Sequence, residues 1–209
     1  MMSEILAQLY TDHLHISRLL DLLEGETDKM EREESANYRL MALIMDYIHH
    51  YPDLIHHPLE DQAFAKLTEK DSQYAALVEQ LREEHHEMPV ISKRIADLLA
   101  SIAAEAITPR DLVIEECRHY IHLSRAHMRK EEAEILPLAG QLLNDTDWAA
   151  IAGIATIADD PLLAGSSWKT IARCMTLSNQ LQDNPYYAVH GISTAIEIAE
   201  QKIANQPQA

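Results

Sequence analysis

The chain has 209 residues and a formal net charge of -17. An acidic surface disfavours binding to nucleic acid or to an anionic membrane, because both require basic residues. No apolar run reaches the ~20 residues that span a bilayer, so we expect a cytoplasmic protein that is not inserted in a membrane. Glycine and aromatic residues are scarce and helix-forming residues are abundant, which predicts an all-α fold.

Capping residues divide the first two-thirds of the chain into four predicted helices. Ser3 is expected to cap the first helix, which should end near Glu24 because Gly25 follows it. Ser35 precedes the second helix, which is predicted to run to about Leu67. Both segments repeat apolar residues at intervals of three and four, so each is predicted to bury one face.

The third predicted helix is capped by Asp71 or Ser72 and fades near Ala106. Thr108 at the N-cap and Pro109 at the first helical position are expected to begin the fourth helix. The fourth helix is predicted to end near Asn144. Four helices with short connections predict an antiparallel up-down four-helix bundle.

Two domains are expected, with a boundary after the fourth helix. Residues 1–144 are predicted to form the bundle. Residues 145–209 contain short apolar segments broken by proline, glycine and serine, and are predicted to form a C-terminal helical extension. We expect the extension to pack on the bundle or to mediate formation of a homodimer.

Histidine is the unusual component, because eleven of the twelve histidines precede residue 128. Counting along antiparallel helices places one histidine from each helix at about the same depth. These four residues are His13, His56, His85 and His127. Glu60 follows His56 by four residues and Glu131 follows His127 by four, so each carboxylate shares a helix face with its histidine.

Each of these features alone has an ordinary explanation. A single histidine on an apolar stripe is usually a hydrogen-bonded core residue, and a His-x-x-x-Glu pair is usually exposed. Buried together without partners, each polar group would cost several kcal/mol, and bound metal would satisfy them. Carboxylates bridge metal ions in bundle interiors, and nitrogen and oxygen ligands without thiolate favour iron or manganese over structural zinc. The predicted dinuclear site comprises His13, His56, Glu60, His85, His127 and Glu131.

Four motifs resemble those of the hemerythrin-like (HHE cation-binding) domain family. Asp12-His13-Leu14-His15-Ile16 is similar to the family's first-helix pattern, and Glu84-His85 to the Glu-His of its third helix. His56-His57-Pro58-Leu59-Glu60-Asp61 is similar to H-H-P-x-E-[ED], and residues 127–137 to H-x-x-x-E-E-x-x-L-x-P. The resemblance covers about residues 9–140. It implies iron ligands at the same six positions, with the two glutamates as bridges.

The chain departs from the pattern of the oxygen-carrying hemerythrins, which have two histidines spaced four apart on the third helix. Here Pro89 stands four residues after His85. His49, one heptad before His56, is therefore a candidate substitute ligand or a neighbour of the ligands. His57 and His86 are expected to flank the metals, where they donate to carboxylates, face solvent or serve as substitute ligands. Tyr120, one heptad before His127, is expected about one layer above the metals as a polar neighbour, a substitute ligand or a packing residue.

Pro58 lies inside the second predicted helix, between His56 and Glu60. A proline in a helix interior removes a backbone donor and costs ~3 kcal/mol. The sequence therefore predicts a bend beside the metal site, held in place by metal coordination.

The resemblance implies a non-haem di-iron protein that binds, senses or detoxifies O2, H2O2 or NO. Two Fe ions are the expected cofactor, with Mn or Zn as substitutes. Sensing or redox handling is favoured over stable carriage, because one histidine is missing. A second hypothesis is a protein that donates iron to damaged iron centres or repairs them. A third is a metal-free helical interaction module in which residues 145–209 are the working part.

Overall fold

The computed structural model of the protein describes residues 3–154, and every regular element within that range is helical. The helices are α1 (Glu4–Glu31), α2 (Tyr38–His50), α3 (His57–Lys70), α4 (Ala75–Ala103), α5 (Arg110–Lys130), α6 (Leu136–Leu142) and α7 (Asp145–Ile154). A short 3-10 helix, Ser72–Tyr74, precedes α4. The all-α prediction is confirmed.

The helices form four packed columns. α1 packs against α2 and α5, and α4 also packs against α2 and α5. The second column consists of α2 and α3 in sequence, and the fourth consists of α5 and α6. The predicted up-down four-helix bundle is therefore confirmed, with two of its columns interrupted by turns.

Apolar side chains fill the bundle interior on both sides of a central polar layer. On α1, Leu9 lies before this layer and Leu20 and Leu23 lie after it, and all three are fully buried. Burial of a leucine side chain contributes roughly 1.5–3 kcal/mol, so the apolar residues stabilise the fold that positions the polar ones.

Gly25 does not end α1, and the predicted end near Glu24 is wrong. The helix continues to Glu31, after which Glu33 has a φ of 60°, the left-handed conformation that commonly follows a helix end. Thr27 and Met30 in the last two turns are buried. Their packing offsets the ~1 kcal/mol that glycine costs in a helix interior.

The first cap is confirmed, because the Leu6 N–H donates to Ser3 Oγ at 3.0 Å. The second column begins at Tyr38, where Asn37 is the cap and its Oδ1 accepts from the Leu40 N–H at 3.0 Å.

Thr108 does not cap the fourth column, contrary to the prediction. Pro109 occupies the N-cap position with an extended backbone and offers no side-chain acceptor, so α5 begins at Arg110. Thr108 Oγ1 instead donates to the Ala106 carbonyl at 3.3 Å. The φ of proline suits an extended N-cap residue as well as the first helical residue, which explains the shift by one position.

Beside Pro58, where the sequence predicts a bend, the column contains a π-helical turn at Pro52–His56. Its hydrogen bonds reach five residues back, as in the bond from the His57 N–H to the Pro52 carbonyl. A π turn inserts one extra residue into a helix and changes which side chains face inward. Pro58 is then the second residue of α3, where a missing N–H is tolerated.

The fourth column contains a second π-helical turn, at Glu131–Ile135. The Leu136 N–H donates to the Glu131 carbonyl, and Pro137 follows as the second residue of α6. Both columns that carry a His-x-x-x-Glu pair therefore combine that pair with a π turn and a following proline. Such turns occur frequently at functional sites.

The helix α7 follows the predicted boundary at residue 144 and packs against α3. Trp148 and Ile151 are buried in the same apolar cluster as Phe64 of α3. The rest of the predicted extension, and the homodimer expected from it, lie outside the described residues. Within residues 3–154, no helix is both long enough and apolar enough to cross a membrane.

Candidate metal centre

A layer of histidine and glutamate side chains crosses the middle of the bundle. It unites the six residues predicted as metal ligands, and each of them is at most 5% exposed. These residues are His13 on α1, His56 at the end of the first π turn, Glu60 on α3, His85 on α4, His127 on α5 and Glu131 at the start of the second π turn. Every column of the bundle therefore contributes to the layer.

Glu60 lies between histidines of three columns. Its Oε1 is 3.2 Å from His13 Nε2, and its Oε2 is 3.4 Å from His56 Nε2 and 3.5 Å from His85 Nε2. The two oxygens thus face different imidazoles, as expected for a carboxylate that bridges two ions.

Glu131 occupies an equivalent position. Its Oε2 is 3.4 Å from His13 Nε2, and its Oε1 is 3.4 Å from His85 Nε2 and 3.0 Å from His127 Nε2. Glu60 and Glu131 are each fully buried, and together they are surrounded by the Nε2 atoms of all four histidines.

Several carboxylate oxygens at the centre of this layer lack a hydrogen-bond partner. Glu60 Oε2 and both carboxylate oxygens of Glu131 are buried without a hydrogen-bond partner. Nε2 of His85 and Nε2 of His127 also face each other at 3.0 Å. Buried unpaired carboxylate oxygens are costly, and cations beside them would satisfy both the oxygens and the imidazole lone pairs. The donor set therefore fits a pair of metal ions.

A second set of carboxylates holds the outer edges of the four imidazoles. In each case Nδ1 of a histidine faces a carboxylate oxygen of a neighbouring column. The pairs are His56 with Asp12 at 3.0 Å, His85 with Asp61 at 2.9 Å, His127 with Glu84 at 2.7 Å, and His13 with Glu132 at 3.1 Å. A proton on Nδ1 leaves the Nε2 lone pair directed inward, as metal ligation requires.

The four pairs form a closed ring around the bundle. A carboxylate of α1 faces the histidine of the second column, and a carboxylate of the second column faces the histidine of α4. A carboxylate of α4 faces the histidine of α5, and a carboxylate of the fourth column faces the histidine of α1. Sequence analysis did not identify these partners. The available signal was that each partner is adjacent in sequence to a predicted ligand, in the pairs Asp12-His13, Glu60-Asp61, Glu84-His85 and Glu131-Glu132. Each carboxylate, however, contacts the histidine of a different column and not its own neighbour in sequence. Adjacency in sequence does not reveal that contact.

Electrostatics keep both central carboxylates ionised. Burial and the charge of Glu131 raise the pKa of Glu60, but the surrounding imidazoles outweigh them and lower it to about 2. The pKa of Glu131 is likewise lowered well below its usual value, because its histidine neighbours outweigh the effect of burial.

The attraction between the carboxylates and the imidazoles raises the pKa values of three of the histidines. Burial lowers the pKa of His85, but Asp61, Glu131 and Glu60 outweigh it and raise the pKa to about 11. The pKa of His13 and that of His127 are raised as well, against burial, by neighbouring carboxylates. In the absence of a cation these imidazoles therefore lose their second proton at a higher pH than usual, and a bound metal would displace that proton.

The remaining predicted neighbours lie in different environments. His57 is buried, with its ring centroid 4.5 Å from that of His85. Burial and the nearby imidazoles lower the pKa of His57 well below its usual value. His86 is exposed. The side chain of His49 is 49% exposed and lies outside the layer, with Nδ1 3.8 Å from Asp53 Oδ2.

Tyr120 is buried and lines a small cavity beside the layer. The cavity measures ≈ 10 Å³, about the space that one water molecule requires. Its lining includes His56, His127, Met88 and Ser124. Four predicted ligands, His13 and Glu131 among them, thus border a space that is suited to a molecule of only a few atoms.

Comparison with protein families identifies a match over more than half of the chain. The family model described as the hemerythrin HHE cation binding domain matches residues 4–139, a range that includes every residue of the histidine and glutamate layer. No curated protein and no solved structure matches the chain.

Proposed function

We propose that this chain, which belongs to the hemerythrin HHE cation-binding family, is a non-haem di-iron protein that binds, senses or detoxifies O2, H2O2 or NO. The observation that carries the proposal is the pair of buried glutamates, whose unpartnered oxygens lie among inward-facing imidazole nitrogens. This arrangement has the composition of a site for two cations that share carboxylate ligands.

Two overlapping groups of side chains would hold the ions. One group consists of His13, His56 and Glu60, and the other includes Glu60, His85 and His127. Within each group, one ligand atom per residue lies within 4.8 Å of the others. Glu60 belongs to both groups, and Glu131 also faces histidines of both, so these two glutamates are the proposed bridges.

Iron is the metal that we assign to the site. Its ligands are imidazole and carboxylate without thiolate, a set that suits iron or manganese and leaves zinc as a substitute. Two bound irons would supply redox electrons and a coordination position for a small molecule.

The small cavity supports a ligand of few atoms. Tyr120 and Ser124 line it with hydroxyl-bearing side chains, and Ile16, Met88 and Met128 provide apolar walls. Burial, with the charge of Asp53, raises the pKa of Tyr120, so its phenol stays protonated and is a hydrogen-bond donor. A space of ≈ 10 Å³ excludes larger substrates unless the walls move.

The proposal is tested by metal analysis of protein purified without oxygen, followed by absorption spectra after addition of O2, H2O2 or NO. We expect about two irons per chain and a spectral change with at least one of the ligands. The double variant His56→Ala/Glu131→Ala should lose the iron, whereas His86→Gln, at an exposed position, should retain it. Wild-type protein without iron, or a double variant with unchanged iron, would overturn the proposal. Rapid loss of iron to a chelator would instead favour the iron-donor hypothesis.

A further inference from the structure

We infer that His57 is a fifth imidazole ligand of the metal centre, on the side of His85 and His127. The inference rests on the proposed function and extends its ligand set. The position four residues after His85 is Pro89, which has no donor group for a metal. His57 supplies an imidazole to the same half of the site from the neighbouring column.

Burial and proximity place His57 inside the ligand layer. Its residue surface is 6% exposed, although it immediately follows a ligand in sequence. One ligand atom each from His57, Glu60, His85 and His127 lie within 4.8 Å of one another. His57 therefore belongs to the second of the two groups, whereas its neighbour His56 belongs to the first.

The ring separations agree with three imidazoles around one ion. The centroid of His57 is 4.5 Å from that of His85 and 5.9 Å from that of His127, and the centroids of His85 and His127 are 4.7 Å apart. With metal–nitrogen bonds of about 2.1 Å, two imidazoles at right angles on one ion have centroids roughly 4.5 Å apart. The observed separations match this spacing for two pairs and a wider angle for the third. The His57 and His85 rings are stacked with their planes 17° apart, so the His57 ring would have to turn for both Nε2 atoms to meet at one ion.

The outer edge of His57 resembles those of the four other histidines, because it also faces a carboxylate. His57 Nδ1 lies 3.7 Å from Asp53 Oδ1, and both atoms are buried without a hydrogen-bond partner. Ser92 fixes the carboxylate by donating to Asp53 Oδ2 at 3.0 Å. Metal ligation at Nε2 would keep the proton on Nδ1, where a shift of ~0.8 Å would allow it to bond to Asp53.

The first π turn explains how two consecutive histidines both face inward. In a regular α-helix, adjacent side chains point in directions that differ by about 100°. The π turn ends at His56, and α3 begins at His57, so the inserted residue re-aims the chain at this junction. His56 then faces His13 with a centroid separation of 5.1 Å, while His57 faces His85.

The test counts bound histidines in cobalt(II)-loaded protein. Each imidazole that binds cobalt through Nε2 gives one exchangeable, strongly shifted Nδ1–H proton signal in the NMR spectrum. We expect five such signals from the wild type, four from His57→Gln and five from His86→Gln. Asp53→Asn should keep five signals but displace the one that is missing in His57→Gln.

Two outcomes would overturn the inference while leaving the proposed function intact. These are four signals from metal-loaded wild type, or an unchanged count in folded His57→Gln. A count of four in the wild type overturns the inference even if that variant does not fold. Failure of the wild type to bind cobalt or iron at all would count against the proposed function as well, and metal analysis of the same sample identifies that case.

Discussion

Asp12 on α1 accepts a hydrogen bond from the histidine of the next column, with Asp12 Oδ2 3.0 Å from His56 Nδ1. The same carboxylate also accepts hydrogen bonds from the Tyr51 hydroxyl at 3.2 Å and from Gln8 Nε2 at 2.6 Å. Asp12 is almost completely buried, so three protein donors fix its position. It therefore orients the imidazole of His56 before any metal binds, and it links two columns of the bundle.

Replacing this carboxylate by an amide should weaken metal binding. In Asp12→Asn the charge that favours the Nδ1–H form of His56 is lost, so the Nε2 lone pair is less well oriented and less basic. Loss of such an outer partner typically lowers metal affinity 10–100-fold. Chelator competition measures the change, with thermal unfolding of the metal-free protein as a check on folding. Asp97→Asn is the matched control, because Asp97 is exposed and bonds Lys93 on its own helix. Equal affinity in the two variants would contradict the role of Asp12.

Metal binding should release protons, and its apparent affinity should rise with pH. The pKa of His85 is raised to about 11, so this imidazole carries a proton at neutral pH in the metal-free protein, and the pKa values of His13 and His127 are raised as well. A metal must displace those protons, and a higher pH makes the displacement easier. Calorimetry in buffers with different ionisation heats counts the protons released. Binding without proton release, or affinity that is constant from pH 6 to pH 9, would contradict this expectation.

The stability of the metal-free protein should fall toward both extremes of pH. The pKa of His85 is raised to about 11 from an ordinary value of 6.5, so its contribution is complete below pH 6.5 and is lost as the pH rises toward 11. The contribution of Glu84 to stability depends on pH in the opposite direction. Its pKa is lowered to about 2 from 4.5 by His127, against burial, so its contribution is present above pH 4.5 and is lost as the pH falls toward 2.

Denaturant unfolding of metal-free protein between about pH 2 and pH 11 checks the loss of stability at acid pH (the acid limb) and at alkaline pH (the alkaline limb). Glu84→Gln should flatten the acid limb, because the substituted side chain no longer titrates. The exposed residue Glu87 has no comparable partner among the described contacts, so Glu87→Gln should leave that limb unchanged. An acid limb that is identical in Glu84→Gln and wild type would contradict the assignment.

The position of the six predicted ligands along the bundle axis, and the helix face on which each lies, could be inferred from sequence because both follow from helix geometry. A spacing of four residues places His56 and Glu60 on one face, and antiparallel columns of known length place the histidines in one layer. The outer carboxylates could not be inferred in this way. Asp12 and His56 are 44 residues apart in sequence, and their contact depends on how two columns rotate against each other.

The π turns set that rotation, and sequence offered only Pro58 as a sign of the first one. Pro58 predicted a bend, but not that the inserted residue would bring His57 inward beside His85. Similarly, Gly25 has the typical character of a helix end, yet the tertiary packing of Thr27 and Met30 overrides it. Local patterns thus predicted which elements form, whereas packing between columns decided where they end and which neighbours touch the ligands.

Tyr120 should affect the bound small ligand without affecting the metal. Its side chain is buried and lines the cavity beside His56 and His127. In Tyr120→Phe the hydroxyl donor is lost, and a hydrogen bond of about 1 kcal/mol corresponds to roughly fivefold weaker retention of O2 or NO. Stopped-flow dissociation measures retention, and iron analysis should give the wild-type content. Tyr74→Phe, on the short 3-10 helix away from the cavity, is the control. An unchanged dissociation rate would show that Tyr120 does not contact the ligand.

The glycines of α1 and α6 provide a test of the corrected helix boundary. Gly25 lies inside α1, and a Cβ added there would meet nothing within 4 Å. Gly25→Ala should therefore raise the free energy of unfolding by about 0.5–1 kcal/mol, because alanine gives up less backbone freedom on folding. Gly140 on α6 is the matched control, since a Cβ there would lie 2.9 Å from Leu6 Cδ2 in the buried core.

In Gly140→Ala the displacement of Leu6 should cancel the gain in helix propensity, so we expect no increase in stability. Denaturant unfolding of the two metal-free variants beside wild type separates these effects, and equal stabilisation at both positions would show that Leu6 yields without cost. No gain in Gly25→Ala would mean that α1 is not helical through Gly25 in solution. Metal content should be unchanged in Gly25→Ala, because the substitution lies more than two helical turns beyond His13 and touches none of the ligands.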